Sequence, residues 1–182
     1  GHLGTTELAA VAFAGSVSFN ALVVGMGIAM ALTPLTGQSY ARKEHKISSI
    51  LLQNSLSLNT IISLVITAIL LLLMPFLKYF GQPKEVIDIC YPYYFIIALS
   101  FIPQLIFLSF KQFMEGVGNT KPSMVITISA NLLNIVLNYL LIFGKFGFPQ
   151  MGVTGAAMAT LISRILMPIA FILYLYFKAN YK

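Results

Sequence analysis

Asn131, Asn134 and Asn138, preceded by Ser123 and Thr127, are the residues in this sequence whose types and spacing best suit binding chemistry. At about 100° per residue the five positions fall within about 80° of one another, a single helical stripe roughly 22 Å long. Amide and hydroxyl groups in an apolar stretch are costly unless a neighbouring helix, water or an ion satisfies them. Asn134 and Asn138, at i and i+4, direct two amide oxygens into one space, which suits a hard cation or a water. Hydrogen bonding between helices is the other common use of such asparagines, and spacing alone leaves both readings open.

Two further stripes accompany this one. Gln53, Ser57, Thr60 and Thr67 share one helical face and suggest a wet interior, although Ser and Thr also bond their own helix backbone and Gln53 is near enough to a loop to be solvated. Gly152, Ala156, Thr160 and Arg164 line one side of a later stretch, with Gly155 and Ala159 beside them, and the small residues favour close helix packing. Arg164 falls mid-stretch and must face a partner or water, either binding an anionic group or holding helices together. Lys111 and Glu115 form a helix-end pair at i, i+4, and His2 and Glu7 read as loop residues. A phosphate-binding glycine loop, a His-rich metal motif, a nucleophile elbow and paired acids for intramembrane proteolysis are all absent from the sequence. This pattern points away from an enzyme and from any cofactor beyond a coupling ion.

The elements that must position these residues follow from composition. Of 182 residues 58% are hydrophobic and 9% charged, against about 25% charged in an ordinary soluble domain. At roughly 20 apolar residues per crossing this supplies about five crossings and little else. The expectation is an all-α polytopic transmembrane bundle in the lipid bilayer of the cell membrane. Charge-free stretches place its crossings near residues 10–31, 49–73, 89–110, 124–143 and 153–177. Thr33-Pro34 and Gly37-Gln38 are expected to break the first helix, and Pro103 to kink the third crossing. Cys90, the single cysteine, has no partner for an internal disulfide. The net charge of +6 is dispersed rather than gathered in a run, which argues against a nucleic-acid partner.

Those charges orient the bundle. Arg42, Lys43, Lys46, Lys111, Lys121, Lys178 and Lys182 fall on one side of the five crossings, and Lys78, Lys84 and Lys145 on the other. Basic loops stay cytoplasmic, so the N-terminus of this chain is expected outside and its C-terminus in the cytoplasm. An outside start with no charge cluster before it implies a further helix upstream.

Four segments carry a family resemblance: Gly1-His2-Leu3-Gly4-Thr5-Thr6-Glu7-Leu8-Ala9-Ala10-Val11, Thr33-Pro34-Leu35-Thr36-Gly37-Gln38, Gly116-Val117-Gly118-Asn119-Thr120-Lys121-Pro122 and Gly152-Val153-Thr154-Gly155-Ala156-Ala157-Met158-Ala159-Thr160. Together they resemble the multidrug and toxic compound extrusion (MATE) transporters, in family order and over nearly the whole chain. The resemblance implies a family architecture of twelve crossings in two six-helix lobes, of which this chain covers most of the N-terminal lobe without the first helix and the C-terminal lobe. It further implies export of small organic, often cationic compounds in exchange for Na⁺ or H⁺ by alternating access. A cation site of that kind would fall here on Asn134, Asn138 and Thr160, with its Asp on the absent first helix and Asn138 where some relatives carry a second Asp. Lys111 stands where the family usually has Arg. Gln53, Ser57, Thr60, Thr127, Asn131 and Arg164 are then the polar candidates for the transport path. A flippase-like exporter of lipid-linked substrates and a non-transporting membrane scaffold are the rival readings; an acidic site, a basic cavity and a closed apolar core respectively would mark the three.

Overall fold

Two of the prolines, Pro34 and Pro103, mark breaks in this all-helical chain, whereas Pro92 and Pro168 lie inside helices that continue past them. The computed structural model describes residues 4–178, and its elements are α1 (Thr5–Met30), α2 (Leu32–Ala41), α3 (His45–Leu73) continued by a 3-10 turn (Met74–Tyr79), α4 (Lys84–Leu99), α5 (Phe101–Gly116), α6 (Lys121–Phe143) and α7 (Gly152–Lys178). Pro34 has no amide hydrogen for the Met30 carbonyl, and α1 gives way to α2 at Ala31. Pro103 likewise cannot bond to the Leu99 carbonyl, and Ser100 separates α4 from α5. Each break precedes its proline by about one turn. This corrects the expectation for the first helix, since Pro34 sits in the opening turn of α2 and Gly37 and Gln38 lie inside that helix.

Five helical units are long and apolar enough to cross a membrane: Thr5–Ala41, His45–Tyr79, Lys84–Gly116, Lys121–Phe143 and Gly152–Lys178. Among the described residues no strand occurs. His2, the Gly1-His2-Leu3 part of the first motif, Lys182 and the chain's C-terminus lie outside the described residues.

The packing places two apolar cores at different heights. One gathers Ala10 and Ala14 of α1, Ile66 and Leu70 of α3, Ile87, Tyr94 and Ile97 of α4, Leu105 of α5 and Ala157 of α7. The other is built by Phe107, Phe110 and Met114 of α5 with Ala130, Met167 and Phe171, and the Phe110 and Phe171 rings stack at 5.7 Å. Outward, α6 keeps Val125, Leu132, Ile135 and Val136 more than half exposed, an apolar exterior suited to lipid or to a further helix.

Candidate transport cavity

The polar stripe is positioned by a tight antiparallel pair of helices. Gly144, at φ +63°, ends α6 in the left-handed conformation that glycine adopts without strain. The Met151 amide then bonds back to the Leu141 carbonyl at 2.9 Å. Gly155 lies against the same turn, where a Cβ would stand 2.7 Å from the Leu141 carbonyl carbon and oxygen. Only glycine allows α7 to run this close to α6, and that closeness brings Thr160 and Arg164 beside the asparagines.

Between α5, α6 and α7 lies a cavity of about 340 Å³, to whose lining α1 adds Met26. Its polar lining comprises Gln104 and Lys111 from α5, Thr127, Asn131 and Asn134 from α6, and Thr160, Ser163 and Arg164 from α7. Phe107, Leu108 and Met167 supply the apolar wall. By rise per residue, Asn134 is about 20 Å from the start of α6 and Arg164 about 21 Å from the end of α7, while Lys111 is about 8 Å from the end of α5. The cavity therefore runs from mid-bundle toward the end that carries Val117–Thr120.

The structure thus brings together Thr127, Asn131, Asn134, Thr160 and Arg164. Asn138 stands one turn beyond the lining and donates its Nδ2 to the Asn134 Oδ1 at 2.9 Å. Its own Oδ1 is buried with no partner among the described residues. Thr127 and Thr160 donate to the Ser123 and Ala156 carbonyls at 2.7 and 3.0 Å, leaving hydroxyl lone pairs for a guest. Arg164 reaches α4–α5, donating Nη1 to the Ser100 Oγ at 2.7 Å with its guanidinium 5.8 Å from the Phe101 ring centre. Lys111 is 3.7 Å from Glu115, a carboxylate outside the cavity. The lining holds two cations and no acid.

Gln53, Ser57 and Thr60 do not reach this cavity. Gln53 and Ser57 are exposed, and Ser57 and Thr60 bond their own helix at the Gln53 and Leu56 carbonyls. Thr67 is buried and donates to the Ala98 carbonyl at 3.1 Å. The inward polar edge of α3 is instead Asn59, whose Nδ2 bonds Ser55 at 3.1 Å and Ser109 of α5 at 2.7 Å. Sequence reading also passed over Gln104, Ser100 and Ser163. Ser55 and Asn59, an i, i+4 pair like Asn134 and Asn138, carried a readable signal.

Comparison with known proteins now decides the family. The MatE family model matches residues 1–140. The chain belongs to the MatE family. The probable multidrug resistance protein NorM of Photorhabdus laumondii is 34% identical over 182 residues, which is 100% of this chain and 40% of that protein. Multidrug resistance protein NorM of Vibrio cholerae is 30% identical over 176 residues, 96% of this chain and 38% of that protein. An outward-facing multidrug resistance MATE family transporter of the MOP superfamily has the same fold, with a TM-score of 0.87 at 22% identity over 98% of this chain and 39% of that one. The MatE chain described here spans about 40% of the length of the curated relatives it matches. With its five spanning-length helical units, this is a multi-pass membrane protein of a multidrug efflux family.

Proposed function

We propose that this MatE chain builds most of one lobe of a secondary efflux transporter, which rocks against a second lobe and exports small organic compounds, cations among them, in exchange for Na⁺ or H⁺. The observation that carries the proposal is the cavity at mid-bundle, where Asn134, Thr160 and Arg164 meet at the height expected of a transport site. Coupling is assigned to the oxygens of Asn134, Asn138 and Thr160, the first two already joined on α6. Neutral oxygens replace the water a small cation sheds, but Arg164 and Lys111 repel it. The site therefore draws its carboxylate from a helix outside this chain. In this reading the helix ends at Lys46 and Lys121 face the cytoplasm.

The absence of an acid from the lining favours one second reading, a flippase-like exporter whose lipid-linked substrate presents an anionic headgroup to Lys111 and Arg164. Everted vesicles containing the full-length transporter separate the two. Ethidium export driven by an imposed Na⁺ or proton gradient supports the first reading. Gradient-independent movement of an anionic lipid probe with no ethidium export would replace it with the second. The 182-residue chain alone is expected to export neither probe.

A further inference from the structure

A second concavity lies on the other side of the α6–α7 pair and shares only Met167 with the cavity described above. Two hollows, of about 330 and 220 Å³, share Val125, Ile126 and Ala170 and so form one groove along the pair. The small side chains of Ala130 and Ala170 leave room in it, and Leu133 and Leu166 line the end farther from the start of α6. At the other end it is rimmed by Lys121, the first residue of α6, and Lys178, the last of α7. Antiparallel packing puts both ammonium groups at the same end.

We propose that this groove is a binding site for an anionic phospholipid, with one acyl chain between α6 and α7 and the phosphate held by Lys121 and Lys178. Three features argue for it. Lys121 to Leu133 on α6 and Leu166 to Lys178 on α7 each span about 18 Å, the depth of one leaflet when the full hydrocarbon core is about 30 Å. Charge selects the headgroup: both lysines are exposed, and among the described residues neither meets a carboxylate. Lys178 Nζ donates to the Tyr174 hydroxyl at 2.7 Å, which aligns one ammonium at the rim. Finally, Thr120 gives α6 no side-chain cap, so although Pro122 has no amide hydrogen, the positive end of the helix dipole lies beside Lys121. An apolar helix from elsewhere in the protein would fill the groove but leave both cations at its end unanswered. The inference is independent of the export reading, since it requires only that the pair spans a bilayer.

The test compares the purified protein in nanodiscs of phosphatidylcholine alone and of phosphatidylcholine with phosphatidylglycerol, with retained lipid read by native mass spectrometry. Phosphatidylglycerol is expected to be retained in preference, and Lys121→Gln and Lys178→Gln each to weaken that preference roughly fivefold. Both changes are at exposed helix ends, so folding survives them. Ala170→Leu, which fills the groove, is expected to lower retention of both lipids. Lys145→Gln, the same charge loss at the opposite end of α6, should change nothing. Equal retention of the two lipids by the unaltered protein, or a preference that survives loss of both lysines, overturns the proposal. A preference that needs the lysines but is untouched by Ala170→Leu also overturns it, because the acyl chain then lies elsewhere.

Discussion

Asn138 donates to Asn134 along the same helix, at 2.9 Å, and keeps its own carbonyl oxygen buried without a partner among the described residues. Asparagines that glue helices together direct their amides across the interface to a neighbour. Here the bond runs within α6, fixes the Asn134 oxygen at the cavity edge, and leaves one acceptor for a guest.

The asparagine pair can therefore be tested by separating coupling from stability. In the full-length transporter, Asn134→Leu and Asn138→Leu remove one oxygen each at similar bulk, and ion-coupled export should fall roughly tenfold, as the loss of one ligand worth about 1.4 kcal/mol implies. Melting temperature should change little, since a hydrogen bond inside a membrane bundle contributes about 0.6 kcal/mol. Ser129→Ala, on the exposed side of α6, is the control. Intact coupling with a large loss of thermal stability at both sites would leave a packing role only.

Arg164 makes a second prediction, because its bond to Ser100 ties α7 to the break between α4 and α5. Ser100 is fully buried and itself donates to the Ile97 carbonyl at 2.7 Å. Ser100→Ala should cost about 1.5–3 kcal/mol, the range for a hydrogen bond to a charged group. Arg164→Lys keeps the charge but loses the planar fork, so it should recover only part of the stability lost in Arg164→Leu. Thermal unfolding in detergent measures all three. Equal stability of the unaltered protein and Ser100→Ala would dismiss the tie.

What was legible in the sequence follows from how much contrast each helix carries. On α6 the polar residues Thr127, Asn131 and Asn134 stand out against Val, Ile and Leu, so helical periodicity alone placed them on one wall. On α3 polar residues occur on more than one face, and the period could not say which edge turns inward. The structure chose Asn59 because Ser109 on α5 offers it a partner, a contact between residues far apart in sequence. The same applies to Lys111, read as a helix-end charge paired with Glu115 but lining the cavity, and to Ser100, whose importance depends on Arg164. The breaks before Pro34 and Pro103 were visible as prolines; their location about a turn earlier follows from the carbonyl each proline leaves unbonded.

Close approaches at glycine make a third prediction. Gly155→Ala would drive a Cβ into the Leu141 carbonyl, and Gly116→Ala would place one 2.7 Å from Thr36 Cβ and 2.8 Å from the Thr33 carbonyl oxygen. Neither neighbour is the flexible end of a side chain. Each change should destabilise by about 1–3 kcal/mol, as overpacking does. Gly27→Ala meets nothing within 4 Å and should be neutral or stabilising by up to about 1 kcal/mol, through helix propensity. Similar melting temperatures for all three variants would contradict the packing of α2 on α5 and of α6 on α7.

The last prediction tests how the chain threads the membrane. Two spanning units separate Lys46 from Lys121, and two separate Lys84 from Gln150. Single cysteines at Lys46 and Lys121 should therefore share one side, and those at Lys84 and Gln150 the other. All four positions are exposed, whereas the native Cys90 is fully buried and adds no background. From the distribution of lysine and arginine, the Lys46 and Lys121 side is expected to be cytoplasmic. A membrane-impermeant maleimide, applied to intact cells and then to everted vesicles, reads both points. Labelling of Lys46 and Lys84 from the same side would mean that His45–Tyr79 does not cross, which would dismantle the bundle. Exact reversal of all four would leave the crossings intact but invert the bundle, so the cavity end near Val117–Thr120 would open outward.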